Sequence, residues 1–219
     1  MIPERDMSEV TVLVKASIIK AISHFAAKRD IRWYLQGIFV EIDGEDAYLC
    51  ATNGHILAAY RTSVDAQSGN DSKLSAIFPI GLFQAVKKND VPVTLTIGAN
   101  VVAVKQTDIT LSGAPLAGEF PRWRKLIPSK LSGDAGQFNP EYIRDLGKVA
   151  KLINESQHNH PIIHHNGEGA AIVSLGDRDF VAVVMPMRAD ARDKLSLPAW
   201  ATTTSELDTS TALEAGAAT

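Results

Sequence analysis

His158, His160, His164 and His165 fall within eight residues, and neutral imidazole is a common ligand for zinc and other transition metals. A metal-dependent enzyme is the chemistry such a cluster would serve. Its spacing opposes that use, because His164 and His165 are adjacent in a predicted strand and so face opposite sides. No H-E-x-x-H, paired-cysteine spacing or nearby carboxylate cluster accompanies them. P-loops, Rossmann glycine patterns and nucleophile elbows are absent too, so no catalytic residue, metal or cofactor is assigned. The single cysteine, Cys50, lies inside a predicted strand and reads as a buried, inert thiol.

Binding chemistry is better represented. Arg144, Lys148 and Lys151 are spaced i, i+4 and i+7, on one face of a predicted helix. Lys20, His24 and Lys28 form a similar stripe on an earlier helix, with Arg29 just beyond, and a further predicted helix ends in Lys87-Lys88. A solvated helix face ordinarily carries such residues. Three helices with basic outer faces and almost no acidic residues, in a chain of net charge −3 and pI near 6.1, point instead to a phosphate-facing surface.

The elements that must position these groups repeat three times. Copy one has a strand at Val10 to Val14, a helix from about Ala16 to Lys28, and strands at Gln36 to Ile42, Asp46 to Thr52 and His55 to Arg61. Asp43-Gly44 and Asn53-Gly54 separate them and suit two-residue turns with positive φ. Copy two runs from Leu74 to Phe78, through a helix at Ile80 to Lys88, to strands Val93 to Ile97, Val101 to Gln106 and Ile109 to Ser112. Copy three has a weak strand near Gln137, a helix from Pro140 to Ile153, then strands Ile162 to His165, Gly169 to Leu175 and Phe180 to Met185. Repetition of this kind predicts stacked equivalent units of an α+β protein, with helices on one face of antiparallel β-meanders.

With 219 residues and 45% hydrophobic content the chain can bury a sizeable core. No apolar run approaches a membrane span, and Met1 to Asp6 lacks the order of a signal peptide, so the expected compartment is the cytoplasm. Punctuation places a double repeat at 1–118, a linker at 119–132 with Pro121 and Pro128, a single repeat at 133–190, and a polar tail at 191–219 read as largely disordered. Copies one and two are expected to close into one domain. Within the tail, Leu197-Pro198-Ala199-Trp200 is a candidate for local docking.

Five segments, in order, resemble the bacterial DNA polymerase III β sliding clamp family. Arg32-Trp33-Tyr34-Leu35-Gln36-Gly37 is similar to that family's R-Y-Y-L-N-G, and Ala51-Thr52-Asn53-Gly54-His55-Ile56-Leu57-Ala58 to its A-T-D-G-H-R-L-A hairpin. Gly118 to Pro128 resembles its G-x-F-P-D-Y-R-R-x-x-P linker, Phe138-Asn139-Pro140-Glu141-Tyr142 its F-N-x-x-Y helix start, and Val183 to Arg188 its V-V-M-P-M-R. The resemblance covers about residues 8 to 188. A family subunit has three domains of two repeats each, whereas this chain matches both halves of the middle domain and the second half of the last. Such a shortened form suggests a phage or mobile-element origin.

The resemblance implies the DNA-clamp fold, no enzymatic activity, and a role tethering polymerase or repair factors to double-stranded DNA without sequence preference. It also implies a cleft for peptides of roughly Q-L-x-L-F type, lined by Leu35, Thr52, Gly54, His55, Ile56, Leu57, Pro128, Asn139, Tyr142, Val183, Met185, Pro186, Met187 and Arg188. Apolar and adaptable side chains in this set suit hydrophobic anchors, and its His, Asn, Tyr and Arg suit the peptide backbone. Leu35, Leu57 and Val183 read equally well as plain core residues, and Gly54 as a turn glycine. Ile56 replaces the family's Arg and Asn53 its Asp, which is expected to make that edge more apolar. The parts that close the family's ring have no counterpart here, so a homo-oligomer (dimer or tetramer) and a non-encircling adaptor or decoy both stand as expectations.

Overall fold

Alternation with period two decides most of the architecture, because it gives each strand two apolar faces of different destination. The computed structural model describes residues 9–64, 73–87, 90–154 and 160–188. Among the described residues there are eleven strands, β1 (Val10–Val14), β2 (Gly37–Asp43), β3 (Asp46–Thr52), β4 (Ile56–Ser63), β5 (Leu74–Pro79), β6 (Val93–Ile97), β7 (Val102–Gln106), β8 (Ile109–Gly113), β9 (Ile162–His164), β10 (Ala171–Ser174) and β11 (Phe180–Val184). Two helices, α1 (Ala16–Ser23) and α2 (Pro140–Ile153), complete the α+β fold. The described residues up to Met187 form one compact unit, and Arg188 belongs to the segment that follows. Among the described residues no helix is long and apolar enough to cross a membrane.

The repeats exchange strands. β1 leaves its own copy and pairs with β6 in a four-stranded sheet ordered β1-β6-β7-β8, while β5 of copy two joins β2. The second sheet is ordered β5-β2-β3-β4-β11-β10-β9, so copies one and three share one continuous antiparallel sheet. Their joint is the five-residue register from Phe180↔Tyr60 to Val184↔Ile56. An Arg61–Asp179 ion pair of 2.7 Å lies at one end of the joint, and the Met185 N–H donates to the His55 carbonyl at the other (2.8 Å).

One face of the seven-stranded sheet packs on α1 and α2 through Ile38, Val40, Leu49, Ala51, Ile56, Ala58, Ala182 and Val184. Residues one step along each strand, Phe39, Cys50, Leu57, Ala59, Ile77 and Val183, point to the opposite face and meet Leu35, Phe120 and Trp123. That second core is built by the segment read as a linker. Phe120 stacks on Phe39 at 4.7 Å between centroids, and the Trp123 Nε1–H donates to Glu41 at 3.2 Å. Arg124 lies over the Tyr48 and Trp123 rings and pairs with Glu41 at 2.6 Å.

Three expected elements differ. α1 stops at Ser23 rather than Lys28: the Ser23 hydroxyl donates back to the Ile19 carbonyl, and the His24 and Phe25 N–H groups bond three residues back, tightening the turn to its end. In copy two the helix expected from Ile80 to Lys88 is a single 3-10 turn, Ile80–Phe83. Gly81 is a poor helix former there, and the Gln106 side chain accepts from the Lys87 N–H and donates to the Lys87 carbonyl, taking groups a helix would use. Near Gln137 there is no strand, only a bond from the Met187 N–H to its carbonyl. The tail 191–219, the connection 65–72, Lys88 and His158 lie outside the described residues.

Candidate functional site

A turn held by its own side chains forms one wall of the site. The Asn53 Oδ1 accepts from the His55 and Ile56 N–H groups (2.9 and 3.0 Å), and the Thr52 Oγ1 accepts from the Gly54 N–H while donating to the Ile56 carbonyl. Asparagine is suited to this backbone mimicry. Gly54, at φ +92°, takes the left-handed position. The expected two-residue turn is thereby widened: Thr52 pairs with Leu57, leaving four residues between them.

This turn opens onto a pocket of about 210 Å³ lined by Leu35, Thr52, Gly54, His55, Ile56, Leu57, Val183 and Met185, together with Arg32, Pro121 and Leu126. Its floor is the β4–β11 joint, where Leu57 and Val183 are register partners, each 2% exposed. The rim is apolar and open, with Met185 and Leu126 both 45% exposed. Arg32 closes one side; its guanidinium lies 3.0 Å from where a Cβ on Gly54 would stand, and it is held by Asp30 at 2.7 and 3.0 Å. Hydrogen bonding from Arg32 pulls the Asp30 carboxyl down to about 2, so the pair stays charged throughout the neutral range.

Eight of the expected cleft residues therefore meet in one pocket, and six do not line it. Tyr142 stacks on His55 at 5.9 Å in an adjoining depression with His24, Lys28, Arg29 and Asp145. Asn139 caps α2, its side chain accepting from the Glu141 N–H at 2.9 Å. Met187 is anchored to Gln137, Pro128 and Pro186 are partly buried, and Arg188 begins the following segment. Ile56 packs in the helix-side core and borders the pocket from there, so replacing Arg by Ile at that edge is absorbed largely by the core. Arg32, Pro121 and Leu126 line the pocket as well; each sits in one of the five motifs without being among the expected cleft residues. Only the folding of the linker onto the sheet brings the last two to the site.

The basic face is more balanced than the spacing implied. Arg144 pairs with Glu141, and Lys148 with Asp145 at 2.8 Å, through the i, i+3 geometry of α2. Lys20, Lys28 and Lys151 carry no ion pair among the described residues, and Lys87 lies against β7 of the other sheet. Elsewhere, the His164 ring bonds the Ser174 hydroxyl and the His165 Nδ1 accepts from the Gly136 N–H. Among the described residues no three potential ligands come together around a metal position. Burial pushes the Cys50 thiol up, so it stays protonated.

Residues 9–122 match the family model for the DNA polymerase III beta subunit, central domain. The chain belongs to the DNA polymerase III beta subunit family. It is 31% identical to the beta sliding clamp of Vibrio cholerae over 134 residues, which cover 59% of this chain and 36% of that protein. Against the clamp of Pseudomonas aeruginosa it is 27% identical over 146 residues, 63% and 38% of the two chains. The Escherichia coli K12 clamp is 29% identical over 115 residues, 51% and 31%. The matched region is thus about a third of each relative's length.

Solved structures extend the likeness of fold across most of the chain. The DNA polymerase III subunit beta of Pseudomonas aeruginosa superposes with a TM-score of 0.64 at 18% identity, covering 84% of this chain and 68% of that one. The Thermotoga maritima beta subunit gives 0.60 at 17%, covering 82% and 65%. The fold is that of a sliding clamp.

Proposed function

We propose that this clamp-family chain is a non-enzymatic, cytoplasmic accessory protein of DNA replication or repair, which tethers polymerase or repair factors through short peptides seated on the Leu57–Val183 floor. The observation that carries the reading is the joint itself. Segments far apart in sequence, Arg32–Leu35, Thr52–Leu57, Pro121–Leu126 and Val183–Met185, converge on one open apolar pocket that Arg32 closes on one side. Such pockets accept a side chain or two of an extended ligand, and their energy concentrates in a few anchors. Double-stranded DNA is the second partner of this reading, met without sequence preference by Lys20, Lys28 and Lys151, which carry no ion pair among the described residues. The division into a double repeat at 1–118, a connecting segment at 119–132 and a single repeat from 133 belongs to the same reading. The adaptor or decoy alternative uses the same pocket, since a peptide site on the β4–β11 joint needs no ring.

Titration of a fluorescent Q-L-x-L-F-type peptide tests the groove. Met185→Ala is the clean probe, because Met185 is half exposed and its loss leaves the core untouched. Affinity is expected to fall by about 1 to 2 kcal/mol, roughly 5- to 30-fold. An unchanged affinity, or a parent protein that binds no such peptide, would sink the reading.

A further inference from the structure

β5 ends the seven-stranded sheet at the edge away from β9, and its register with β2 fixes where its backbone groups point. The Ile80 N–H donates to the Gln36 carbonyl (3.1 Å), and opposed residues of an antiparallel ladder exchange hydrogen bonds only at every second pair. Ile38↔Phe78 and Val40↔Ala76 are therefore the bonded pairs. Ser75 and Ile77, which lie between them, aim their N–H and C=O groups away from β2. Leu116 already uses this edge, since its N–H donates to the Ile77 carbonyl at 2.9 Å. Beyond that bond Pro79 has no N–H to offer. Toward the start of the strand Ser75 is exposed, and its backbone groups meet no partner among the described residues.

A groove of about 680 Å³ lies along this open stretch. Phe39, Ile77 and Phe120 give it an apolar floor on the side of the sheet away from the helices, and the turn after β6, at Gly98 and Ala99, bounds it. The charge around it has one sign. Glu119 lines the groove, exposed and without an ion pair among the described residues, and the exposed Glu9 packs against Gly98. Lys73, at the start of β5, is held by Asp43 at 3.2 Å.

We propose that the outer edge of β5 accepts a strand from a partner protein: an extended segment that pairs its backbone with Ser75, turns an apolar side chain toward Phe39 and Phe120, and carries Lys or Arg opposite Glu119. In strand addition the main-chain bonds supply affinity and the alternating side chains select the partner. This edge shares no lining residue with the pocket over Leu57 and Val183, so both can be occupied at once.

The probe is a short labelled peptide of alternating valine and lysine, titrated into the full chain. The parent is expected to bind it, and the same peptide N-methylated along its backbone, which keeps the charge but loses the donors, about tenfold more weakly. Ser75→Pro removes the outward N–H without touching a bond to β2, a change that edge strands tolerate, and is expected to lower affinity about tenfold. Glu119→Lys should lower it about threefold. Both variants should keep the parent's thermal midpoint and its affinity for the Q-L-x-L-F peptide. No binding of the valine–lysine peptide, or equal binding of its N-methylated form, overturns the proposal. So does full affinity in Ser75→Pro; should that variant fail to fold, the two peptides on the parent decide alone.

Discussion

His24, just past the end of α1, is exposed overall, yet partial desolvation of its ring is the main cause that lowers its pKa below the usual 6.5. Asp145 opposes that shift, while Lys148 and Lys28 reinforce it. The folded protein therefore favours neutral His24. Between the lowered folded value and 6.5 the unfolded chain binds more protons, so stability is full above 6.5 and is lost as pH falls through that window. Asp145 acts in a separate range: its hydrogen bond from Lys148, foremost, depresses its pKa, and its contribution is present above about 4 and lost below. Thermal midpoints at pH 7.5, 6.5 and 5.5 are expected to fall in the parent and to be flatter in His24→Gln. The loss below pH 4 should persist in that variant. An identical slope in both proteins between pH 7.5 and 5.5 would remove His24 as the cause.

At the scale of elements, the segment after β8 does more than connect. Trp123 is 7% exposed and Phe120 is equally buried, both against the face of the sheet away from the helices. Trp123→Ala should cost about 3 kcal/mol, in the range for truncating a large buried aromatic, whereas Arg124→Ala should cost about 1 kcal/mol or less because its pairing is half-exposed. Urea midpoints separate the two. A Trp123→Ala midpoint no lower than that of Arg124→Ala would mean that the segment only rests on the sheet. The contrast also shows what the sequence could carry. Period-two runs and the glycine turns placed every strand of the three meanders to within two residues, and Asn139-Pro140 marked the start of α2, because those signals are local. The exchange of β1 and β5 between copies is a matter of pairing partners, which no run of residues encodes by itself. The loss of the second helix turned on Gln106, nineteen residues beyond Lys87, and the second core on Phe120 and Trp123 reaching back to β2 and β3. In the pocket, the motifs legible in sequence supplied Leu57 and Val183 separately; their status as register partners came from the joint.

For the whole molecule the deciding feature is the outer edge of β9. Only three residues long, it ends the seven-stranded sheet, and Ile162 on it is 61% exposed. A strand with one open edge and an exposed β-branched side chain is a template for another strand, and natural edges are usually blunted by charge, proline or cover. Pro161 precedes the strand and His164 ends it, but among the described residues no strand lies beyond β9. Two-fold association is the commonest closed solution, and two copies joined edge to edge through β9 would pair the edge that the sheet leaves open. Light scattering at rising concentration, with and without duplex DNA, is expected to show the mass climbing from monomer to dimer. Ile162→Lys should hold it at monomer while leaving peptide affinity unchanged, since Ile162 is not among the residues that line the pocket. Higher species that appear only with DNA would favour a closed ring built from such dimers. A parent that stays monomeric at high concentration, DNA present or absent, would eliminate ring closure through this edge and leave the non-encircling adaptor as the form in which the groove is used.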